Sequence, residues 1–229
     1  MKIRVGIAVP GREERLNELE LCLKEEKADL YVFPEGFLDT DNLSCALEII
    51  RACGAYVAAG FKDLTGNTRH QALVIDRGEI KGEYTKCILA KSEQEKGRIA
   101  GDKIFCLDTK FGKVGIPICY EIHFPEVSRV MRAENPVMLI NPIGSGMYHG
   151  LQFDQWNTIA KARAIENEVY VLGCSHFNGP LPIAYAYAPD GSCLLQKKNE
   201  HGVFVAEIDT EKSMERAIGY WEDRRPEIF

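Results

Sequence analysis

Nowhere in the 229 residues does an apolar run approach the ~20 residues that a membrane-crossing helix needs. The opening MKIRVGIAVPGREE meets charge too soon to read as an export signal. From these two absences we expect a cytoplasmic protein with no membrane partner. CxxC pairs are also missing. The eight cysteines stand at 22, 45, 53, 87, 106, 119, 174 and 193, and the five histidines are scattered. Neither a disulfide framework nor a structural zinc site is therefore expected, and the thiols read as reduced. No Gly-rich phosphate loop, internal repeat, low-complexity tract or linker occurs. A basic excess is lacking too: the formal net charge is -6, which argues against a nucleic-acid partner.

What is present fits an ordinary globular protein, with 45% hydrophobic and 27% charged residues. Its length suits one domain over 1–229. Ile3–Val9 reads as a strand. Glu13–Lys27 follows with Leu16, Leu19 and Leu23 at helical spacing. Leu30–Phe33 is a short buried-strand run stopped by Pro34, Asp41–Cys53 a second helix and Ala55–Phe61 a strand. This β-α-β-α-β opening implies parallel strands joined by crossover helices. Ala72–Asp76 and Ile80–Tyr84 then flank a turn at Arg77-Gly78-Glu79, a hairpin pattern. Ile104–Leu107 and Val114–Cys119 flank a turn at Lys110-Phe111-Gly112 in the same way. Phe124–Ala133 and Leu151–Glu168 read as helices. Strands are expected at Val137–Ile140, Val169–Cys174, Ala184–Ala188, Cys193–Leu195 and Val203–Ile208, with a last helix at Glu211–Ala217. Ser92–Gly101 and Gly144–Gly150 are the long irregular stretches, placed to rim a site. Mixed α/β layers are the architecture these elements imply.

Three stretches deliver a polar residue at or just past a strand end: LYVFPEG with Glu35, GEYTKC with Lys86 and GIPICYE with Cys119. Together they supply a general base, a cationic oxyanion stabiliser and a nucleophile, the minimum for cleaving an amide or nitrile through a thioester. Singly, each has a plain alternative. Cys119 reads either as an inert buried thiol or as a nucleophile at a strand-to-helix elbow, where a helix start lowers a thiol pKa. Glu35 reads as a loop cap or a desolvated base, and Lys86 as a surface lysine or a pocket cation. A Cys–His pair using His123 or His176 is the rival chemistry.

The order and context of these stretches resemble the carbon–nitrogen hydrolase, or nitrilase, superfamily. ADLYVFPEGF is similar to its base segment, ALVIDRGEIKGEYTK to the hairpin leading to its lysine, and FGKVGIPICYEIHFPEVSR to its nucleophile elbow. WNTIAKARAIENEVYVLGCS resembles its long helix and following strand, and the DGS turn at Asp190–Ser192 also fits. The resemblance implies a four-layer α-β-β-α sandwich with two mixed β-sheets. It implies hydrolysis of a non-peptide C–N bond of a small amide, with no metal or organic cofactor, by a homodimer or higher homo-oligomer. Glu35 is then the proton acceptor, Lys86 the proton donor and oxyanion stabiliser and Cys119 the nucleophile, with the Tyr120 N–H completing the oxyanion site. The family's second glutamate is assigned to Glu95, with Glu93 its near equal. The acyl side of the pocket is expected at Phe37 and along Asn141–Gly150, including Ile143 and Tyr148. His123 stands where the family usually has Arg, and Glu121 where Asp is commoner. A catalytically silent binding protein on the same fold is the rival of another class.

Overall fold

The computed structural model describes residues 1–66, 68–211 and 217–228. The opening pattern resolves into β1 (Lys2–Val9), α1 (Arg15–Glu25), β2 (Leu30–Asp39), α2 (Leu43–Ala52) and β3 (Tyr56–Asp63). β1, β2 and β3 pair in parallel, as crossover helices require. β4 (Arg69–Asp76) and β5 (Glu79–Thr85) form the expected hairpin. Arg77 and Gly78 between them have φ of 47° and 79°, the two positive values that a type I′ turn needs. β12 (Gly202–Asp209) returns from the far end of the chain to pair antiparallel with β1. The first sheet has the order β12-β1-β2-β3-β4-β5.

The second sheet is built from β6 (Leu107–Thr109), β7 (Gly112–Gly115), β8 (Met138–Ile143), β9 (Tyr170–Ser175), β10 (Ile183–Tyr187) and β11 (Cys193–Lys198), in the order β11-β10-β9-β8-β7-β6. It too is mixed, with β7, β8 and β9 parallel and the outer pairs antiparallel. α4 (Pro125–Ala133) and α5 (Gly150–Asn167) pack against this sheet.

Period-two alternation decides the layers. Ile3, Val5 and Ile7 of β1, Ala58 of β3 and Ala72 and Val74 of β4 share one core with residues of the second sheet, such as Leu139 and Leu172. The intervening Tyr31, Phe33, Val57, Ala59, Leu73 and Ile75 pack with Leu19 and Leu23 of α1 and Ala46 and Ile50 of α2. Each Val, Leu, Ile or Phe among them, fully buried, contributes about 1.5–3 kcal/mol relative to exposure. The result is the expected α-β-β-α stack.

Some boundaries differ from the sequence reading. β2 does not stop at Pro34 but continues to Asp39 after an irregularity between Phe33 and Leu38. Pro34 offers no N–H and Gly36 turns at φ 66°, so the chain bulges and rejoins the ladder. Ser92–Gly101, read as irregular, contains part of a short helix, α3 (Lys91–Glu95). β7 ends at Gly115, four residues before Cys119. The helix expected at Glu211–Ala217 falls mainly on 212–216, outside the described residues.

Candidate active site

Glu35 sits in the bulge of β2, lifted from the ladder and only 6% exposed. Two glycines make room for it. A Cβ on Gly60 of β3 would lie 2.3 Å from Glu35 Cα, and one on Gly144 would lie 2.6 Å from Glu35 Oε2. Lys86 follows β5 and is 1% exposed. Its N–H donates to the His70 C=O at 2.9 Å, which continues the β4–β5 ladder past Thr85. The Lys86 Nζ then donates to Glu35 Oε1 at 2.9 Å and to Glu93 Oε1 at 2.8 Å.

Of the two candidate glutamates, the structure brings Glu93, not Glu95, to Lys86. Glu93 stands at the first turn of α3, where its other oxygen accepts the Ala90 N–H at 2.7 Å. Glu95 lies further along this short helix, its side chain 65% exposed and 3.9 Å from Lys91. Spacing could not separate the two, because α3 was not read from the sequence.

Cys119 opens a 3-10 turn, Cys119–His123, that leads into α4. Its φ of 49° is uncommon for a residue with a side chain. Asn141 of β8 supports this backbone, donating from Nδ2 to Pro117 O at 2.6 Å and to Cys119 O at 3.1 Å. Asn141 is in turn fixed by Trp156 Nε1 and the Tyr185 hydroxyl, both donating to its Oδ1. Glu121, fully buried, joins this turn to the lysine segment. Its carboxylate accepts from the N–H groups of Ile118, Cys87 and Ile88 and from the Tyr84 hydroxyl. Asn141 and Gly144 fall in the stretch expected to line the acyl side, but their support of Cys119 and Glu35, and the bridging by Glu121, were not read from the sequence.

The electrostatics divide the roles. Burial raises the Glu35 carboxyl, but the Lys86 ammonium and then His70 outweigh it and hold the group down to about 2. Burial lowers Lys86, and Glu35, Cys119 and Glu93 more than reverse this. Burial pushes the Cys119 thiol well up, with Glu35 adding to it, while Lys86 and the Gly144 N–H pull the other way without cancelling it. The resting arrangement is a thiol close to an ionised carboxylate and an ammonium. This departs from the low thiol pKa expected of a helix start, because enclosure outweighs the local N–H groups.

His123 and His176 do not form a Cys–His pair among the described contacts. The His123 ring packs edge-on against Trp156, 4.5 Å between centroids. His176 is buried with Nε2 3.0 Å from the Glu35 carbonyl, and burial drives it down to about 4. The pocket residues fare unevenly. Phe37 is fully buried and stacks on Phe33 in the α1/α2 core, away from the acyl side expected of it. Ile143 is 1% exposed and packs beneath the site in the inter-sheet core, where it is no pocket wall. The Tyr120 ring rests on Phe124 and His123, and its N–H has no backbone partner among the described residues. Tyr148 is 69% exposed on the loop before α5.

Glu35, Glu93 and His70 place ligand-type atoms within 4.8 Å of one another, as a metal site does. The Lys86 ammonium, bonded to both carboxylates, fills the role that a cation takes in such a set. Sequence reasoning missed His70. Period two along β4 carried the signal, since it puts His70 on the same face as Ala72 and Val74.

The carbon–nitrogen hydrolase family model matches residues 12–216. The deaminated glutathione amidase of Synechocystis sp. is 32% identical over 236 residues, covering 93% of this chain and 83% of that protein. The omega-amidase of Saccharomyces cerevisiae is 28% identical over 137 residues, covering 56% of this chain and 46% of the yeast protein, so the chain spans about half of that relative. The crystal structure of a carbon–nitrogen hydrolase from Helicobacter pylori G27 superposes with a TM-score of 0.87 over 99% of this chain and 97% of that one, at 19% identity.

Proposed function

The chain belongs to the carbon–nitrogen hydrolase family, and from that premise we propose that it is a cysteine amidohydrolase cleaving the non-peptide C–N bond of a small amide. Glu35, Lys86 and Cys119 carry the reaction, and Glu93 holds Lys86. The observation that carries this reading is the buried array Glu35–Lys86–Glu93, set where the charges of Glu35 and Lys86 both act on the Cys119 thiol. A base must be near the proton it removes, and Glu35 is the carboxylate beside that thiol.

Glu35 takes the thiol proton as sulfur attacks the carbonyl carbon. The carbonyl oxygen gains the charge and is met by Lys86 and the Tyr120 N–H. Collapse expels the amine, which leaves with the proton that Glu35 received. Water then enters, gives a proton to Glu35 and attacks the thioester. The acid departs and the thiol regains its proton. An amide is favoured over a nitrile because relatives matched above are named as amidases.

Ammonia release from a panel of small amides tests the reading. Native protein is expected to turn over at least one amide, and Cys119→Ala none. Equal turnover in Cys119→Ala, or in Glu35→Gln, overturns it.

A further inference from the structure

His70 is a titratable group at this centre that the steps above do not use. Its backbone C=O already holds the Lys86 N–H. Its ring stands between the two carboxylates, with Nδ1 3.1 Å from Glu35 Oε1 and Nε2 3.9 Å from Glu93 Oε1. The side chain is only 15% exposed. The approach to Glu35 is short but off the line of a hydrogen bond, so it acts through charge and contact.

Charge counting gives the ring a role. Two carboxylates, Glu35 and Glu93, face one ammonium, Lys86. One negative charge is left over where burial penalises an uncompensated ion. Proton transfer from Cys119 to Glu35 moves charge within the array, and only neutral species leave and enter it, so the excess persists through the cycle and opposes the oxyanion. A charged imidazole cancels it. The groups facing the ring are Glu35 from β2, Glu93 from α3 and Lys86 beyond β5. Lys62, its register partner on β3, lies beside it in the sheet and pairs with no carboxylate of the array among the described residues.

We propose that His70 is a positioning residue whose imidazolium offsets the second carboxylate and fixes Glu35 for proton transfer. The role rests on Glu35 being the base. It is tested by the pH dependence of kcat/KM on a small amide for the native protein, His70→Asn and His70→Ala, with thermal melts to establish folding. Loss of the ring removes a group that helps keep Glu35 ionised. The acid limb is then expected to rise by about 1 pH unit. kcat is expected to fall about 10- to 100-fold from a misplaced base. KM should hold, because the ring does not reach the substrate. Folded variants with the native acid limb and native kcat overturn the proposal.

A second measurement needs neither a His70 variant nor activity. The imidazole ¹⁵N shifts of the full chain are followed across pH, in native protein and in Glu93→Gln. A ring carrying both protons at neutral pH, and losing one at lower pH in Glu93→Gln, supports the proposal. A neutral ring indifferent to Glu93→Gln overturns it. Native protein without any amidase activity fails the assignment of Glu35 as base, and the imidazole titration still reads the charge on His70.

Discussion

A thiol whose proton is held tightly, beside a carboxylate held ionised, is a nucleophile only when the two exchange a proton. On the proposed mechanism, the reactivity of Cys119 therefore depends on Glu35. Iodoacetamide at neutral pH is expected to inactivate the protein by labelling Cys119, and Glu35→Gln to slow that labelling alone. Cys45 and Cys193, both exposed, serve as internal controls whose rates stay unchanged. Mass spectrometry of the labelled peptides checks this, and equal Cys119 rates in both proteins would refute it. The two glutamates of α3 make a paired comparison. Glu93→Gln weakens a charge-assisted bond to the buried ammonium and is expected to lower kcat by about 10- to 100-fold through misplacement of Lys86. Glu95→Gln changes an exposed side chain and is expected to leave kcat within about twofold. Steady-state kinetics on one amide separates them.

At the scale of elements, the bulge in β2 and the turn at Cys119 are local irregularities that aim side chains. Pro34 interrupts the ladder, Gly36 takes the positive φ, and Gly60 on the neighbouring strand lets the displaced backbone approach. A methyl on Gly60 meets Cα of Glu35, which is backbone and cannot swing aside. Gly60→Ala is expected to lower stability by about 1–3 kcal/mol and to lose most activity. Gly150→Ala is its control, at the start of α5 with nothing within 4 Å of an added Cβ, and is expected to melt within a degree or two of native. Denaturant melts and turnover on the two variants check the contrast.

Across the whole molecule, the centre straddles the two sheets. Glu35 and Lys86 come from the first sheet, and Cys119 follows a strand of the second. Glu121 and the inter-sheet core hold the halves in register, so chemistry and folding share groups. Glu35 has a folded-state pKa depressed to about 2 from the ordinary carboxylate value near ~4.3. A depressed carboxyl contributes stability that is fully present above the unfolded value and is lost as pH falls through the folded one. Native protein is therefore expected to lose about 1–3 kcal/mol between pH ~4.3 and ~2 through this group. Glu35→Gln should flatten that limb of the stability–pH curve. Chemical denaturation at stepped pH measures it, and parallel curves for the two proteins would sink the linkage.

Sequence by itself determined the elements whose burial repeats along the chain. Apolar runs marked β1, β3 and β4, helical spacing marked α1, and Arg77-Gly78 encoded its own turn. The same local chemistry singled out Glu35, Lys86 and Cys119, because strand ends, Pro, Gly and apolar flanks are all near neighbours in the chain. Tertiary structure alone decided between Glu93 and Glu95, since the choice depends on which carboxylate a short helix turns toward an ammonium delivered by another strand. It also placed Phe37 in the core against Phe33, since an apolar residue near a candidate base does not by itself show whether it faces a pocket or a packed helix layer. It raised the Cys119 thiol, since enclosure by two sheets is a sum over residues distant in sequence. And it brought His70 between two carboxylates from β2 and α3, a contact that exists only once those segments have converged on one end of the sandwich.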